Sequence, residues 1–304
     1  MTLKAPFAQM RRDSDKARQY PGTLSLDDRS FEVGFEVRGN HRLTACSYPP
    51  LRIDFDKDDI KDTLFDKQND IKLVVQCSSQ SRYTDYLRTE FLAYRALNLL
   101  TPISYRVRWV NVKYIEESGD VREEPAFFVE RKSRIAKHAN LKTTDISGIS
   151  IDVLDEKQSA IVMLYSFLIA NTDFSIIAAV PGEDCCHNAK ILLGEAEQQR
   201  YFPLIYDFDN SGLVATDYHR LPVDLPIDVI TQRLYRGYCI HREATDEARR
   251  AILAEEPTIM ELFETDPVLG RGKKKRVTRF LDRGFDILRD DKKFEREITR
   301  DCRA

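Results

Sequence analysis

Residues 169–214 read IANTDFSIIAAVPGEDCCHNAKILLGEAEQQRYFPLIYDFDNSGLV. Two compact polar clusters, Asn171-Thr172-Asp173 and His187-Asn188-Ala189-Lys190, are followed by Tyr206-Asp207-Phe208-Asp209 directly after an apolar run. Carboxylates and carboxamides at the ends of hydrophobic elements are what a divalent metal and a phosphoryl donor require. Residues 188–193 and 201–206 have strand character, with a turn expected at 194–199. An antiparallel pairing of the two brings Asn188 and Asp207 to the same end of a hairpin. Upstream, Pro181-Gly182 interrupts the chain, and residues 160–170 are apolar nearly all round, the pattern of a buried helix. Asn171-Thr172-Asp173 sits at its exit, where an Asx turn is the plain alternative to a functional role.

The 304-residue chain suits one large domain or two closely joined lobes, and 42% hydrophobic residues suffice for a sizeable core. With 47 basic and 50 acidic side chains, a net charge of −3 gives no bulk electrostatic case for nucleic acid or an anionic membrane. No apolar run approaches the ~20 residues that cross a bilayer. The six cysteines (Cys46, Cys77, Cys185, Cys186, Cys239, Cys302) follow no zinc-ligand spacing. Cys46 and Cys77 both flank expected strands, which leaves two readings open: a disulfide in an oxidising compartment, or buried thiols.

Toward the N-terminus, a charged lead-in reaches a turn at Pro21-Gly22, and residues 31–38 alternate as a half-buried strand. It runs into Gly39-Asn40-His41, a turn bracketed by Arg38 and Arg42. Such a turn can cover a phosphate or can be an ordinary hairpin turn. Residues 49–55 and 71–77 are further strands, and the second carries Lys72, which must reach solvent or meet an anion. A helix over 84–100 has Leu87, Phe91, Tyr94 and Leu97 at helical spacing, with Glu90 at the border of that stripe. Residues 104–114 and 126–131 predict a strand pair, so residues ~20–131 form an antiparallel sheet with one helix inserted. Residues 131–152 read as a polar connector. Beyond Val214, helices are expected over 227–235, over 245–254 with an apolar continuation at 257–263, and over 273–288, with Arg271 to Arg276 as a solvated helix start.

Phosphoryl transfer needs cations around the phosphates, an oxygen-rich metal site and a carboxylate to take the acceptor's proton. Lys72 with Arg38 or Arg42, Asn188 with Asp207, and Asp173 match those needs in chain order. At these residues the chain resembles the atypical protein kinases of the HipA and CotH (spore-coat kinase-like) group. The Arg38-Gly39-Asn40 turn, IKLVVQC at 71–77, YLRTEFLAYRALNLL at 86–100, SYRVRWVNVKY at 104–114 and Asp207-Phe208-Asp209 are similar to CotH-like proteins. The succession NTD, HNAKIL, YDFDNSGLV is similar to both groups.

The resemblance implies an α+β, protein kinase-like two-lobe fold: a β-rich lobe with one helix over 1–131 and a mainly helical lobe over 132–304 carrying the hairpin. It implies Asp173 as catalytic base, Lys72 as the phosphate-binding lysine with Glu90 as its partner, and Arg38 and Arg42 as phosphate cover. Asn188, Asp207 and Asp209 would be Mg²⁺ ligands, ATP and Mg²⁺ the cofactors, and a protein or other hydroxyl compound the acceptor. Asn188 follows Asp173 by far more than the roughly five residues of common kinases, and no G-x-G-x-x-G loop occurs. The alternatives are a kinase-like binding module without activity and a transferase for AMP or an amino acid. Members of the group look exported, and LKAPFAQMRRD is similar to the start of a mature domain. With Met1 standing in for a removed signal peptide, the resemblance implies a periplasmic protein with a Cys46–Cys77 disulfide; otherwise the location is cytoplasmic.

Overall fold

The alternating N-terminal segments form strands in a computed structural model that describes residues 1–179, 185–195 and 200–304. The chain divides into two compact units, Met1–Leu87 with Val107–Arg131, and Arg88–Arg106 with Lys132–Ala304. Elements run in the order β1 (Thr2–Lys4), α1 (Phe7–Asp13), β2 (Tyr20–Leu26), β3 (Arg29–Val37), α2 (His41–Ala45), β4 (Leu51–Phe55), β5 (Asp70–Val75), α3 (Ser81–Leu100), β6 (Val107–Ile115) and β7 (Val121–Val129).

The seven strands close into a barrel in the order β1-β2-β3-β4-β5-β7-β6. All neighbours are antiparallel except β1 and β6, which run parallel with Leu3 opposite Tyr114. This overturns the expected kinase-like two-lobe fold. The class is α+β, but the architecture is a barrel rather than an open antiparallel sheet. The closing element is β1, three residues inside what reads as a charged lead-in. It pairs with β2 on one side and β6 on the other, which removes both free edges.

The second departure is Pro21-Gly22, which lies within β2 and not in a turn. A Cβ on Gly22 would stand 2.3 Å from the Lys4 carbonyl oxygen and 2.7 Å from the Phe35 ring. Glycine is therefore needed where β1 and β3 crowd β2. Inside the barrel, Leu3, Leu24, Phe35, Ile53 and Leu73 are fully buried. Phe65 stacks on Phe55 at 4.8 Å and meets Phe31 and Phe128 edge-on. Phe7 of α1 lies edge-on to Phe35 and Tyr114. Such pairs add to the apolar burial that holds the barrel closed.

The second unit continues with α4 (Lys132–His138), β8 (Lys142–Thr143), α5 (Glu156–Leu168), β9 (Ala189–Leu193), β10 (Tyr201–Ile205), α6 (Arg242–Ala254), α7 (Glu256–Glu264), α8 (Arg271–Arg289) and α9 (Asp291–Phe294). The supposed connector at 131–152 thus holds a helix and the third strand of a small sheet ordered β10-β9-β8. Residues 227–235 form no helix. There the Gln232 side chain accepts from Asp228 N–H and donates to the Pro226 carbonyl, taking backbone partners a helix would use. The basic start of α8 is not wholly solvated either, since Lys273 is buried with Nζ donating to the Val214 carbonyl at 2.6 Å. The Pro181-Gly182 break lies outside the described residues, as does most of the expected 194–199 turn.

Candidate active site

The site is built on α5 and the β9–β10 hairpin. Asp155 caps α5 by accepting from Gln158 N–H at 2.8 Å. The Gln158 amide then donates to the Ile103 and Pro203 carbonyls, both at 2.9 Å, and accepts from Thr101 Oγ1. Ten of the thirteen residues of α5 are buried, as the apolar run from Ala160 onward requires. The helix ends when Ala170 turns left-handed at φ 49°. Immediately beyond, the Ile169 and Ala170 carbonyls accept from Leu213 and Gly212 N–H at 3.0 and 2.9 Å. A Cβ on Gly212 would lie 2.6 Å from the Ile230 carbonyl oxygen and 2.8 Å from Ala170 Cβ, so this close approach requires glycine. Residues 169–173 and 210–213 are joined in this way.

Asn171 Oδ1 accepts from Asp173 N–H at 3.3 Å, the Asx turn that the sequence offers. Asp173 does more than end the helix. Its Oδ1 lies 2.7 Å from His187 Nε2, and its Oδ2 accepts from Asn188 Nδ2 at 3.2 Å and Asn210 Nδ2 at 3.1 Å. Asn188 Nδ2 also donates to the Asp173 carbonyl at 2.8 Å. With its nitrogen so engaged, Asn188 has Oδ1 to offer a cation. Arg236 Nη1 donates to the carbonyls of Thr172 and Phe174, one on each side of Asp173. Burial raises the Asp173 carboxyl, but the hydrogen bond and charge of His187, the Asn210 amide and the Arg236 charge outweigh it. The net result is a carboxyl held below its usual range, ionised at neutral pH.

Ala189 pairs with Ile205, and Tyr206 N–H donates to the Asn188 carbonyl at 3.0 Å. Asn188 and Asp207 therefore flank the same end of the hairpin. Both have left-handed backbones, φ 47° and 67°, which sets each side chain off the strand direction. Asp207 N–H donates to Tyr94 Oη at 2.8 Å, and the Tyr94 ring packs 4.6 Å from that of Phe208. Burial, followed by the charges of Glu90 and Asp207, pushes the Tyr94 phenol well up, so it stays neutral. Asp209 is buried, and its carbonyl accepts from Thr216 Oγ1 at 3.4 Å. Nearby, Asn171 Nδ2 and Thr172 Oγ1 are buried without partners among the described residues. Unpaired buried donors are costly and collect at functional places.

Of the residues singled out in the sequence, Asp173, Asn188, Asp207 and Asp209 belong to this local arrangement. Glu90 lies buried on the part of α3 that belongs to the same unit. Lys72, Arg38 and Arg42 belong to the barrel unit. Lys72 sits on β5 opposite Arg52 and Val129, and Arg38 N–H donates to the Pro50 carbonyl. Arg42 is buried in α2, donating through Nη2 to the Val75 carbonyl, and does not stand in a solvent-facing turn. His187 stands in the sequence only as part of a polar cluster with no role assigned, and Asn210 is not singled out there, although each directly adjoins a residue that is: Asn188 and Asp209. No three-member His, Cys, Asp or Glu cluster able to hold a metal occurs among the described residues. Asn188, Asp207 and Asp209 nonetheless carry oxygen donors of the kind that a hard divalent cation takes. Compared with models of protein families and with curated proteins, the chain matches none of them.

Proposed function

We propose that the second unit carries the reactive centre of an ATP- and Mg²⁺-dependent phosphotransferase acting on a hydroxyl of a protein or small molecule. The observation that carries this reading is the ionised Asp173 carboxylate, fixed by His187, Asn188 and Asn210 at the end of the hairpin that bears Asp207. Phosphoryl transfer asks little covalent chemistry of the protein; it asks for positioning and for charge where charge develops. Asn188 Oδ1 and the Asp207 and Asp209 carboxylates would hold Mg²⁺, which neutralises phosphate charge when bound. Asp173 accepts the proton of the attacking hydroxyl, and its hydrogen bonds keep it ionised and fixed in direction beforehand. The proposal rests on this site alone and carries no claim of a kinase fold.

All six cysteines are paired, as Cys46–Cys77, Cys185–Cys186 and Cys239–Cys302. The two disulfides that join distant parts of the chain, Cys46–Cys77 and Cys239–Cys302, are characteristic of oxidising compartments and support our placing the enzyme outside the cytoplasm.

Mass spectrometry after incubation of the protein and a mixed protein acceptor with Mg-ATP tests the activity. The expected product carries one phosphoryl group per modified hydroxyl and is absent with Asp173→Asn. Adenylyl adducts would replace this reading with nucleotidyl transfer, and an unmodified sample would remove it.

A further inference from the structure

One arginine ties the Asp173 segment to a distant part of the second unit. Arg236 Nη1 donates to the Thr172 and Phe174 carbonyls, and the guanidinium lies 5.4 Å from the centre of the Phe174 ring. These bonds fix the backbone on both sides of Asp173, and with it the direction of the carboxylate. On one side of Arg236, Tyr235 is anchored in the core, its ring edge-on to Phe167 and its hydroxyl 3.2 Å from Thr245 Oγ1. On the other side the anchor is the segment 302–303. Arg303 N–H donates to the Gly237 carbonyl and Cys239 N–H to the Arg303 carbonyl, both at 2.8 Å, so that Tyr238 and Arg303 pair in parallel. The Cys239–Cys302 disulfide joins the same two segments across a sequence separation of 63.

This anchor holds together groups that repel. The Arg303 guanidinium lies over the Tyr238 ring at 4.3 Å. Burial first, and then the nearby Arg303 charge, lower the Arg236 guanidinium from its ordinary value. Arg236 Nε and Arg303 Nε are both buried without partners among the described residues. Like charges and unsatisfied donors both cost free energy, and residues 301–304 belong to no helix or named strand that would hold them in place. Two backbone hydrogen bonds and one stacked ring oppose that cost, and the disulfide is the covalent fastening.

It is also the disulfide nearest to solvent. Cys239 is exposed and Cys302 half-buried, and both line a small cleft with Tyr235 and Tyr238. Cys46, Cys77, Cys185 and Cys186 are buried, at 8%, 3%, 4% and 3% exposure. Thiol–disulfide exchange requires access to a sulfur, so an external dithiol opens this bond before the other two.

We propose that the Cys239–Cys302 disulfide is a redox catch on the Asp173 site, with Arg236 as the positioning residue through which it acts; the catalytic consequence rests on Asp173 being the base of phosphoryl transfer. With the bond closed, Arg236 is held on the Thr172 and Phe174 carbonyls. A dithiol reductant supplies two electrons and two protons, becoming its own disulfide while Cys239 and Cys302 become thiols. Segment 302–303 then separates from 237–239, Arg236 loosens, and the Asp173 carboxylate loses its fixed direction.

Amide hydrogen exchange of the full chain, oxidised and after treatment with dithiothreitol and trapping with iodoacetamide, tests the catch independently of activity. Cys239 and Cys302 should be alkylated first, and the amides of residues 171–175 should then exchange at least tenfold faster than in the oxidised protein. The double variant Cys239→Ser, Cys302→Ser should show the same fast exchange and no further response to dithiothreitol, which separates this bond from Cys185–Cys186 beside His187. With the disulfide intact, Arg236→Met should also speed exchange, whereas Arg236→Lys, whose ammonium can donate to both carbonyls, should keep it slow. In the phosphoryl-transfer assay, opening the bond should lower kcat about tenfold and leave KM for Mg-ATP unchanged, because orientation and not nucleotide binding is lost. The stated exchange response without phosphoryl transfer in any state supports the catch and overturns only the enzymatic reading. Unchanged exchange at 171–175 on loss of the bond, earlier alkylation of another pair, a dithiothreitol response in the double variant, or a kcat that ignores the bond in an active protein overturns the catch.

Discussion

The barrel and the 169–214 stretch solve opposite problems. In the barrel, left-handed non-glycine residues are Ser14, Asp27, Asp62 and Lys67, polar types at a helix end and in turns. The interior is aliphatic and aromatic, with Leu3, Phe35, Ile53 and Leu73 fully buried. In and just beyond the 169–214 stretch, the left-handed residues are Ala170, Asn188, Asp207 and Ala215. Two are alanines, for which this conformation costs roughly 1–2 kcal/mol, and two carry side chains of the site itself. Buried donors without partners among the described residues, Asn171 Nδ2 and Thr172 Oγ1, lie in the same place, although the barrel unit holds such a group too in the Tyr114 hydroxyl. One region maximises burial, whereas the other gives up stability to aim polar groups. Strain concentrated in this way marks where function is expected.

The sharpest way to break the comparison is to exchange the consequences of mutation. Asp173→Asn should lower phosphoryl transfer about 10²- to 10⁴-fold in a protein that stays folded, with only a modest drop in denaturant midpoint. A variant that instead unfolds would make Asp173 a structural residue. Phe35→Ala should do the reverse. Loss of this fully buried ring should cost ~3–5 kcal/mol in urea titration, and a cost below about 1 kcal/mol would mean the barrel core is not packed as described.

Charge can serve structure as well, and Asp266 provides the control for Asp173. It accepts from Arg88 Nε and Nη2 at 2.9 and 2.6 Å and from the N–H groups of Val268 and Leu269, within the second unit. Asp266→Ala should cost ~3–5 kcal/mol, since it takes the paired carboxylate from a largely buried guanidinium, with no separate effect on the rate per folded molecule. A rate loss beyond that explained by unfolding would place Asp266 in the reaction.

A smaller effect follows from pH. Burial raises the Asp266 carboxyl, but the Arg88 hydrogen bond and charge and two backbone donors bring it below its usual range; Asp173 is likewise lowered. Both therefore bind a proton more readily in the unfolded chain. Their stabilisation is complete above the unfolded carboxyl value of about 4 and fades as pH falls through the folded values. Urea midpoints measured from pH 6 downward should decline across that window, and Asp266→Asn and Asp173→Asn should each flatten the decline. An acid limb of equal slope in all three proteins would show that neither carboxylate contributes.

Much of the fold is written in short-range pattern. The alternation at Phe31, Val33, Phe35 and Val37 and the β-branched run at 71–75 mark their strands, and the apolar spacing along 273–288 marks α8 to within two residues. The barrel itself was not legible, because closure depends on three residues, Thr2–Lys4, too few to show a period, and on Pro21-Gly22, whose ordinary meaning is a turn. Their strand conformation is set by tertiary crowding around Gly22. At the site, Asp173, Asn188 and Asp207 are visible as polar residues at the ends of apolar elements. The roles of His187 and Asn210 are not, because a neighbouring polar residue looks like the continuation of a turn until the chain folds back to set it within 3.1 Å of Asp173. Arg42 misled for a similar reason: a charge beside Gly39 looks solvent-facing until the Val75 carbonyl is placed over it.

Thermal unfolding with and without Mg-ATP tests the central claim most directly. If residues 169–214 form a nucleotide–Mg²⁺ site, Mg-ATP at a hundred times its Kd should stabilise the protein by about 2.7 kcal/mol and raise Tm accordingly. Asp207→Ala should abolish that rise. Absence of any shift at millimolar Mg-ATP, or an equal shift in Asp207→Ala, would contradict the account.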